Sequence, residues 1–222
     1  MILVNHLRYL QIAFNYDRIM VSRLLPRIPY HERILIEAGT PYIKREGVQG
    51  IRFIRSLWRG RIVADIKTAD GAMGEVEMVH AAGANAVTAL GSAPNETLDL
   101  FISACEQMGL ISMVDMIGIE DPLQVLRPLK KPPEVVILHR GRDEETTRGK
   151  LIQYRHVNRI HSKYDVLISA AGGIDVKEAR SAIFNGANIV VANIVRPEDR
   201  WVGISASEDI GKMARSFLAT IE

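Results

Sequence analysis

The sequence predicts a (β/α)8 barrel, an α/β fold, that spans residues 1–222 as a single domain. Eight short apolar runs begin 22 to 31 residues apart, and amphipathic helical segments lie between them. Near-continuous apolar strands are typical of a parallel sheet that helices cover on both faces. An open doubly wound sheet is the alternative, but the first run lacks the Gly-x-Gly-x-x-Gly turn that follows the first strand of dinucleotide-binding sheets.

The predicted strands are rich in Val and Ile, and the segments between them are long enough for crossover helices. They are Tyr9–Phe14, Arg33–Glu37, Arg61–Ile66, Ala86–Leu90, Ile111–Asp115, Val135–His139, Val166–Ala170 and Asn188–Ala192.

Two of the intervening helices carry terminal signals. The segment Asn95–Met108 has apolar residues at helical spacing, and the helix stop residue Gly109 follows it. The segment Asp175–Asn185 repeats this pattern. Asn95 and Asp175 are predicted to cap their helices, because short polar side chains accept hydrogen bonds from the free N–H groups of a first turn.

Composition excludes several classes of protein. Apolar residues make up 47% and charged residues 24%, which is ordinary for a globular domain. The net charge of +2 predicts no nucleic-acid partner, and the single cysteine excludes an internal disulfide framework. Neither a spanning apolar run nor a signal peptide is recognisable, so no membrane association and a cytoplasmic location are expected.

Polar residues cluster at the ends of the predicted strands, where a barrel carries its active site. These residues are Asn15, Glu37, Asp65, Lys67, Asp70, Asp115, His139, Arg142, Gly172 and Gly173. A polar stretch, Gly141–Gly149, follows the sixth strand and is expected to be one of the active-site loops. Charged groups at the end of an apolar strand are costly to bury unless they are paired or bound to a metal, so one convergent site is expected.

The densest cluster is Asp65–Asp70. Asp65 and Lys67 are two positions apart on an extended backbone, so their side chains share a face. A lysine held between carboxylates stays cationic and can stabilise an enolate oxygen. The alternative is a salt bridge at the end of a strand with no catalytic role.

Six stretches of the chain resemble the orotidine-monophosphate-decarboxylase superfamily, in that family's order. They are LQIAFN at 10–15, LIEAGTPYIKREG at 35–47, the long segment at 63–98 that begins VADIKTADG, MVDMIGIEDP at 113–122, VVILHRGRDEE at 135–145 and ISAAGGID at 168–175. Within the superfamily they are most similar to the 3-hexulose-6-phosphate synthases and the 3-keto-L-gulonate-6-phosphate decarboxylases.

The resemblance implies a (β/α)8 barrel, a homodimer with shared active sites, Mg2+ dependence and an enediolate intermediate on a sugar phosphate. Position by position, Glu37 and Asp65 would be the Mg2+ ligands. Lys67 would stabilise the enediolate, Asp70 would reach the partner subunit's site, and His139 would transfer protons.

The synthase reaction is the expected activity: a reversible aldehyde-lyase reaction that joins ribulose 5-phosphate to formaldehyde. Gly141 and Asp143 resemble the synthases. Arg142 resembles the decarboxylases, in which it would help to place the proton donor, so that activity is the alternative. Asp115 would contact a substrate hydroxyl or cap its loop.

Two departures from the family pattern concern substrate binding. The first strand ends in Asn15 where the family has an aspartate, and Asn193 stands in the region of a phosphate-binding Gly-Arg pair. The N–H groups of Gly172 and Gly173 remain to cradle an anion, and Arg196 is the candidate replacement for the lost cation. These departures leave a further alternative, a non-catalytic ligand-binding homologue with an altered phosphate site.

Overall fold

The computed structural model describes residues 3–222, so Met1 and Ile2 of the predicted domain lie outside it. Within this range eight parallel strands pair in chain order, and the first also pairs with the eighth, which closes the sheet into a barrel. The strands are β1 (Tyr9–Phe14), β2 (Ile34–Ala38), β3 (Arg61–Thr68), β4 (Ala86–Leu90), β5 (Ile111–Asp115), β6 (Val135–His139), β7 (Leu167–Ala171) and β8 (Ile189–Val195). The predicted (β/α)8 barrel is confirmed.

The predicted bounds of β1, β4, β5 and β6 coincide with those observed, while β2 and β7 are displaced by one residue. β3 extends to Thr68, and its pairing with β4 shifts register between Ala64 and Thr68. β8 extends three residues past the predicted end, to Val195, and its end pairs with the short strand β9 (Ile204–Ser205).

Helices connect the strands around the outside of the barrel. They are α1 (Arg18–Leu24), α2 (Thr40–Leu57), α3 (Ala72–Ala81), α4 (Asn95–Met108), α5 (Pro122–Leu126), α6 (Arg142–Arg148), α7 (Arg155–His161), α8 (Val176–Phe184) and α9 (Ile210–Thr220). The backbone of α2 departs from helical geometry at Gly47, whose φ is 61°, so α2 consists of two helical segments. The stretch predicted as a loop at Gly141–Gly149 is mostly the short helix α6.

Of the two predicted N-cap residues, Asp175 is confirmed and Asn95 is not. The Asp175 carboxylate accepts a hydrogen bond from the Glu178 N–H at 2.7 Å, which confirms it as the N-cap of α8. The prediction for Asn95 was wrong: α4 already includes it, and Pro94 occupies the cap position without a side-chain bond. Gly109 ends α4 with a φ of 66°, a left-handed conformation that glycine adopts without steric cost.

The apolar core has two layers because side chains alternate across each strand. One layer packs between strands and helices and includes Leu10, Ile36 and Val136. The other fills the barrel interior and includes Val63 and Val135. Within residues 3–222 no helix combines the length and apolar character needed to cross a membrane.

Candidate active site

A cavity of about 230 Å3 opens at the carboxyl ends of the strands. It is lined by Gln11, Asn15, Glu37, Thr40, Pro41, Asp65, Lys67, Thr88, Asp115, Ile117, Ile137, His139, Arg140, Arg142, Ala171, Gly172, Val191 and Asn193. Nine of the predicted site residues are therefore brought together: Asn15, Glu37, Asp65, Lys67, Asp115, His139, Arg142, Gly172 and Asn193.

Strand alternation explains why these side chains converge. The polar residue of each of five strands stands two positions after an apolar residue of the barrel interior, and so faces the same way. The successive pairs are Leu35 and Glu37, Val63 and Asp65, Met113 and Asp115, Ile137 and His139, and Val191 and Asn193. The apolar interior thus forms the floor of the cavity, and the polar ring lies above it.

An irregular backbone conformation at Lys67 brings its side chain into the site. Its φ is 52°, in the left-handed region that costs a non-glycine residue energy, and it lies within the register shift of β3. The Lys67 N–H donates to the Thr88 hydroxyl at 3.0 Å, which supports this conformation. Asp65 and Lys67 share a side as predicted, but through a bulge and not through a regular extended strand.

The Lys67 ammonium lies between two carboxylates. Its Nζ is 3.1 Å from Asp65 Oδ1 and also forms an ion pair with Asp115 Oδ2. Burial opposes the charge of Lys67, but the attraction of Asp65 and Asp115 outweighs it and holds the pKa of Lys67 above its usual range. Lys67 is therefore a fixed cation in the cavity.

Asp115 connects Lys67 to His139. It is only 1% exposed, and its carboxylate oxygens lie 3.0 and 2.9 Å from His139 Nδ1. Burial opposes the charge of Asp115, but His139 and Lys67 outweigh it and hold the pKa of Asp115 well below its usual range. Burial likewise opposes protonation of His139, but Asp115 raises the pKa of His139 above its ordinary value. Because the carboxylate accepts hydrogen bonds only, the proton lies on Nδ1.

Side chains from two other elements donate hydrogen bonds to the Asp65 carboxylate. The Thr40 hydroxyl donates to Asp65 Oδ2 at 2.6 Å, and the Thr88 hydroxyl donates to Oδ1 at 2.8 Å. Thr40 begins α2 and Thr88 lies within β4, so neighbouring elements of the barrel orient this carboxylate.

Glu37 is the other buried carboxyl of the cavity. Burial and the nearby charge of Asp65 raise the pKa of Glu37 to about 7, against the hydrogen bond that Gln11 Nε2 donates to Glu37 Oε2 at 2.6 Å. A divalent cation bound between these two carboxyl groups would offset their mutual repulsion.

Glu37 and Asp65 fit Mg2+, which takes oxygen ligands and is commonly held by one or two carboxylates while it keeps water or substrate oxygens. In the part of the chain that the structure describes, no group of three or more His, Cys, Asp or Glu side chains could hold a metal ion. A metal that depends on protein ligands alone is therefore a poor fit for this cavity.

Three predicted site residues lie outside the cavity lining. Asp70 is exposed after β3, and its carboxylate accepts a bond from the Gly71 N–H at 2.8 Å. Arg196 packs on the Tyr16 ring, with its guanidinium carbon 4.4 Å from the ring centroid. A Cβ at Gly173 would come within 2.0 Å of the Arg140 guanidinium, so Arg140 fills the space beside this glycine.

The amides at the ends of β1 and β8 bond to each other. Asn15 Nδ2 donates to Asn193 Oδ1 at 2.9 Å. The pair is uncharged, so this side of the cavity lacks the carboxylate and the guanidinium that the family pattern places at these two strand ends.

Sequence reasoning missed four polar residues that line the cavity: Gln11, Thr40, Thr88 and Arg140. Gln11 and Thr88 had a detectable signal, because each is a polar residue inside an apolar strand. Thr40 and Arg140 had none, since their contacts depend on how α2 and the segment after β6 pack.

The family model described as the orotidine 5'-phosphate decarboxylase / HUMPS family matches residues 8–193. A similar curated protein is the bifunctional enzyme Fae/Hps of Methanothrix thermoacetophila, 37% identical over 216 residues, which cover 96% of this chain and 53% of that protein. The chain therefore spans about half the length of such relatives.

Solved structures are similar over nearly the whole chain. A 3-hexulose-6-phosphate synthase has a TM-score of 0.76 at 27% identity, with 96% of this chain and 100% of that chain covered. The synthase from Salmonella typhimurium has a TM-score of 0.79 at 24% identity, with 96% and 98% covered, and shows the shared fold. The extent of the family match, together with the closed barrel, places this chain in the orotidine 5'-phosphate decarboxylase / HUMPS family.

Proposed function

We propose that the chain is an aldehyde-lyase that acts on a sugar phosphate, with the activity of a 3-hexulose-6-phosphate synthase. The supporting observation is the chain of contacts from Asp65 through Lys67 and Asp115 to His139, which lies in one cavity. The similarity to a synthase structure at 27% identity and to the Fae/Hps enzymes favours this reaction within the family.

The residues suit proton abstraction next to a carbonyl group. His139 is oriented by Asp115 through Nδ1, which leaves Nε2 to take the proton from C1 of ribulose 5-phosphate. Negative charge then develops on the carbonyl oxygen, and the Lys67 ammonium stabilises the resulting enediolate. C1 of the enediolate forms a carbon–carbon bond to formaldehyde, whose oxygen takes up a proton, and the product is a 3-hexulose 6-phosphate.

Glu37 and Asp65 would hold the Mg2+ that we propose as cofactor. The ion would supply positive charge beside the substrate oxygens. Thr40, Thr88 and Gln11 would orient the two carboxylates, since each bonds to one of them.

Formaldehyde consumption tests the proposal. We expect the purified protein to consume formaldehyde when ribulose 5-phosphate and Mg2+ are present. Lys67→Ala should lower the rate at least a hundredfold, because it removes the charge that stabilises the enediolate, on the order of 3 kcal/mol. Lys177→Ala, at an exposed position of α8, is the matched control and should keep the parent rate. A folded parent protein that consumes no formaldehyde would contradict the proposal.

The decarboxylase activity is the second candidate, because Arg142 lines the cavity. Release of CO2 from 3-keto-L-gulonate 6-phosphate, with no consumption of formaldehyde, would establish it. Saturable binding of sugar phosphates without either reaction would instead indicate the non-catalytic homologue, which the uncharged pair of Asn15 and Asn193 favours.

A further inference from the structure

The proposed substrate carries a phosphate dianion, and the cavity must offer it positive charge. Lys67 is committed to Asp65 and Asp115. At the end of β8 the side chain is the amide of Asn193, which bonds to Asn15. The cation that meets the phosphate must therefore come from another element, and three arginines lie near the rim: Arg196, Arg140 and Arg142.

Arg196 does not line the cavity. Its guanidinium packs on the ring of Tyr16, and its backbone N–H donates to Asp199 Oδ2 at 2.6 Å. The Tyr16 hydroxyl donates to the same carboxylate. Burial and this bond raise the pKa of Tyr16 to about 12, against the opposing charge of Arg142. These contacts anchor Arg196 to the end of β1.

Arg140 lines the cavity but acts as a clamp between loops. Its guanidinium donates to the carbonyl oxygens of Lys150 at 3.1 Å, Gly172 at 2.9 Å and Gly173 at 3.3 Å. It also lies 3.7 Å from Glu145 Oε1, a carboxylate that balances its charge. Both terminal nitrogens of the guanidinium therefore bond to the protein itself, while its buried Nε has no hydrogen-bond partner among the described residues.

Of these three arginines, Arg142 both lines the cavity and keeps its charge for a ligand. It lines the cavity, and its guanidinium carbon lies 4.9 Å from the centroid of the Trp201 ring. Within residues 3–222 no salt bridge pairs it with a carboxylate. A ring contact orients a guanidinium without using up its N–H donors.

Trp201 brings the segment after β8 against the start of α6. Its indole N–H is buried and has no hydrogen-bond partner among the described residues. Gly172, which follows β7, lines the same cavity. In (β/α)8 barrels the loops after the seventh and eighth strands frequently form the phosphate site.

We propose that Arg142 binds the phosphate of the substrate, and that Trp201 is a positioning residue that holds the Arg142 guanidinium at the rim of the cavity. Arg142 would replace, from the start of α6, the cation that is missing at the end of β8. The inference rests on the proposed function only in that the ligand is a sugar phosphate.

Calorimetric titration of the full chain with inorganic phosphate and with ribose 5-phosphate tests the anion site without turnover. Arg142→Met should weaken both affinities about tenfold to a hundredfold, and Arg142→Lys should weaken them less, because hydrogen bonds between charged groups are lost or only partly replaced. Arg180→Met, at an exposed position of α8, is the matched control and should bind like the parent. Arg196→Met should retain the affinity that Arg142→Met loses.

Tryptophan emission provides an independent measurement, because the chain has two tryptophans. Trp58 is buried at the end of α2, before β3, and so lies at the opposite end of the barrel from the cavity. Phosphate should change the emission of the parent, and Trp201→Phe should abolish this change while it keeps most of the affinity. Trp201→Leu, which removes the aromatic ring, should weaken phosphate binding several-fold.

Three binding results would overturn the inference: no phosphate or ribose 5-phosphate binding by the parent, unchanged affinity in folded Arg142→Met, or loss of affinity in Arg196→Met instead. Where turnover is measured, Arg142→Met should raise KM more than it lowers kcat. A fall in kcat with unchanged KM would assign Arg142 to the chemical step and would also overturn it. Phosphate binding that depends on Arg142, without formaldehyde consumption, would support the inference and reject only the proposed synthase activity.

Discussion

At the scale of single residues, Asp115 connects two groups of the site that carry or can carry positive charge. It is almost fully buried and contacts both a cation, Lys67, and a titratable base, His139. A buried carboxylate is stable only when such partners compensate for its lost hydration. Asp115 thereby orients His139 and, together with Asp65, keeps Lys67 charged.

Replacing Asp115 by Asn should lower the pKa of His139, because the negative charge that favours the imidazolium is removed while the burial remains. An NMR titration of the His139 ring measures this directly. Asp99→Asn, on α4, is the control and should leave the His139 pKa unchanged. An unchanged pKa in Asp115→Asn would show that Asp115 does not govern the imidazole.

The same shifts predict how the pair of Asp115 and His139 contributes to stability. Because the pKa of His139 is raised in the folded state, this residue stabilises the fold at pH values below about 6.5, the ordinary pKa of histidine. The contribution is lost as the pH rises through the pKa that His139 has in the folded protein. Because the pKa of Asp115 is lowered in the folded state, this residue stabilises the fold at pH values above about 3.9, the ordinary pKa of aspartate. This contribution is lost as the pH falls through the pKa that Asp115 has in the folded protein. The full contribution therefore lies between these limits.

At the scale of elements, α8 and α4 begin by different means. The Asp175 carboxylate caps α8, whereas Asn95 lies inside the first turn of α4. Asp175→Ala should lower the free energy of unfolding by about 1 kcal/mol, because a first-turn N–H loses its acceptor. Asn95→Ala is the matched control and should cost less than half as much. Chemical denaturation measures both, and equal losses would contradict the assignment of the caps.

The strand β3 and the helix α6, both near the site, differ from the prediction made from the sequence. The bulge in β3 turns Lys67 into the cavity through a left-handed backbone, and α6 forms where a loop was predicted. The bulge had no local signal, because it depends on how β3 pairs with β4. The helix had one: Gly141 precedes three acidic residues, Asp143–Glu145, which suit the positive end of a helix.

At the scale of the whole molecule, we propose a homodimer with shared active sites. Asp70 is exposed and lies outside the cavity of its own subunit, which is compatible with the predicted role in a partner's site. Light scattering should therefore show a dimer.

Subunit mixing tests the shared site. Lys67→Ala and Asp70→Ala, each inactive alone, should regain about a quarter of the parent rate when they are dissociated and reassembled in equal amounts. Half of the dimers would then be mixed, and each mixed dimer would hold one intact site of two. Mixed dimers without recovered activity would contradict the role of Asp70.

The sequence by itself determined the barrel, because eight apolar strands at even spacing have few other ways to bury both faces. It also determined the set of polar strand ends, since strand parity places Glu37, Asp65, Asp115, His139 and Asn193 on one face. Only the tertiary structure decided which charges meet. The pairing of Lys67 with Asp115 and the stacking of Arg142 on Trp201 join residues far apart in the chain. Such contacts depend on how the strands and loops pack, and no local pattern encodes that.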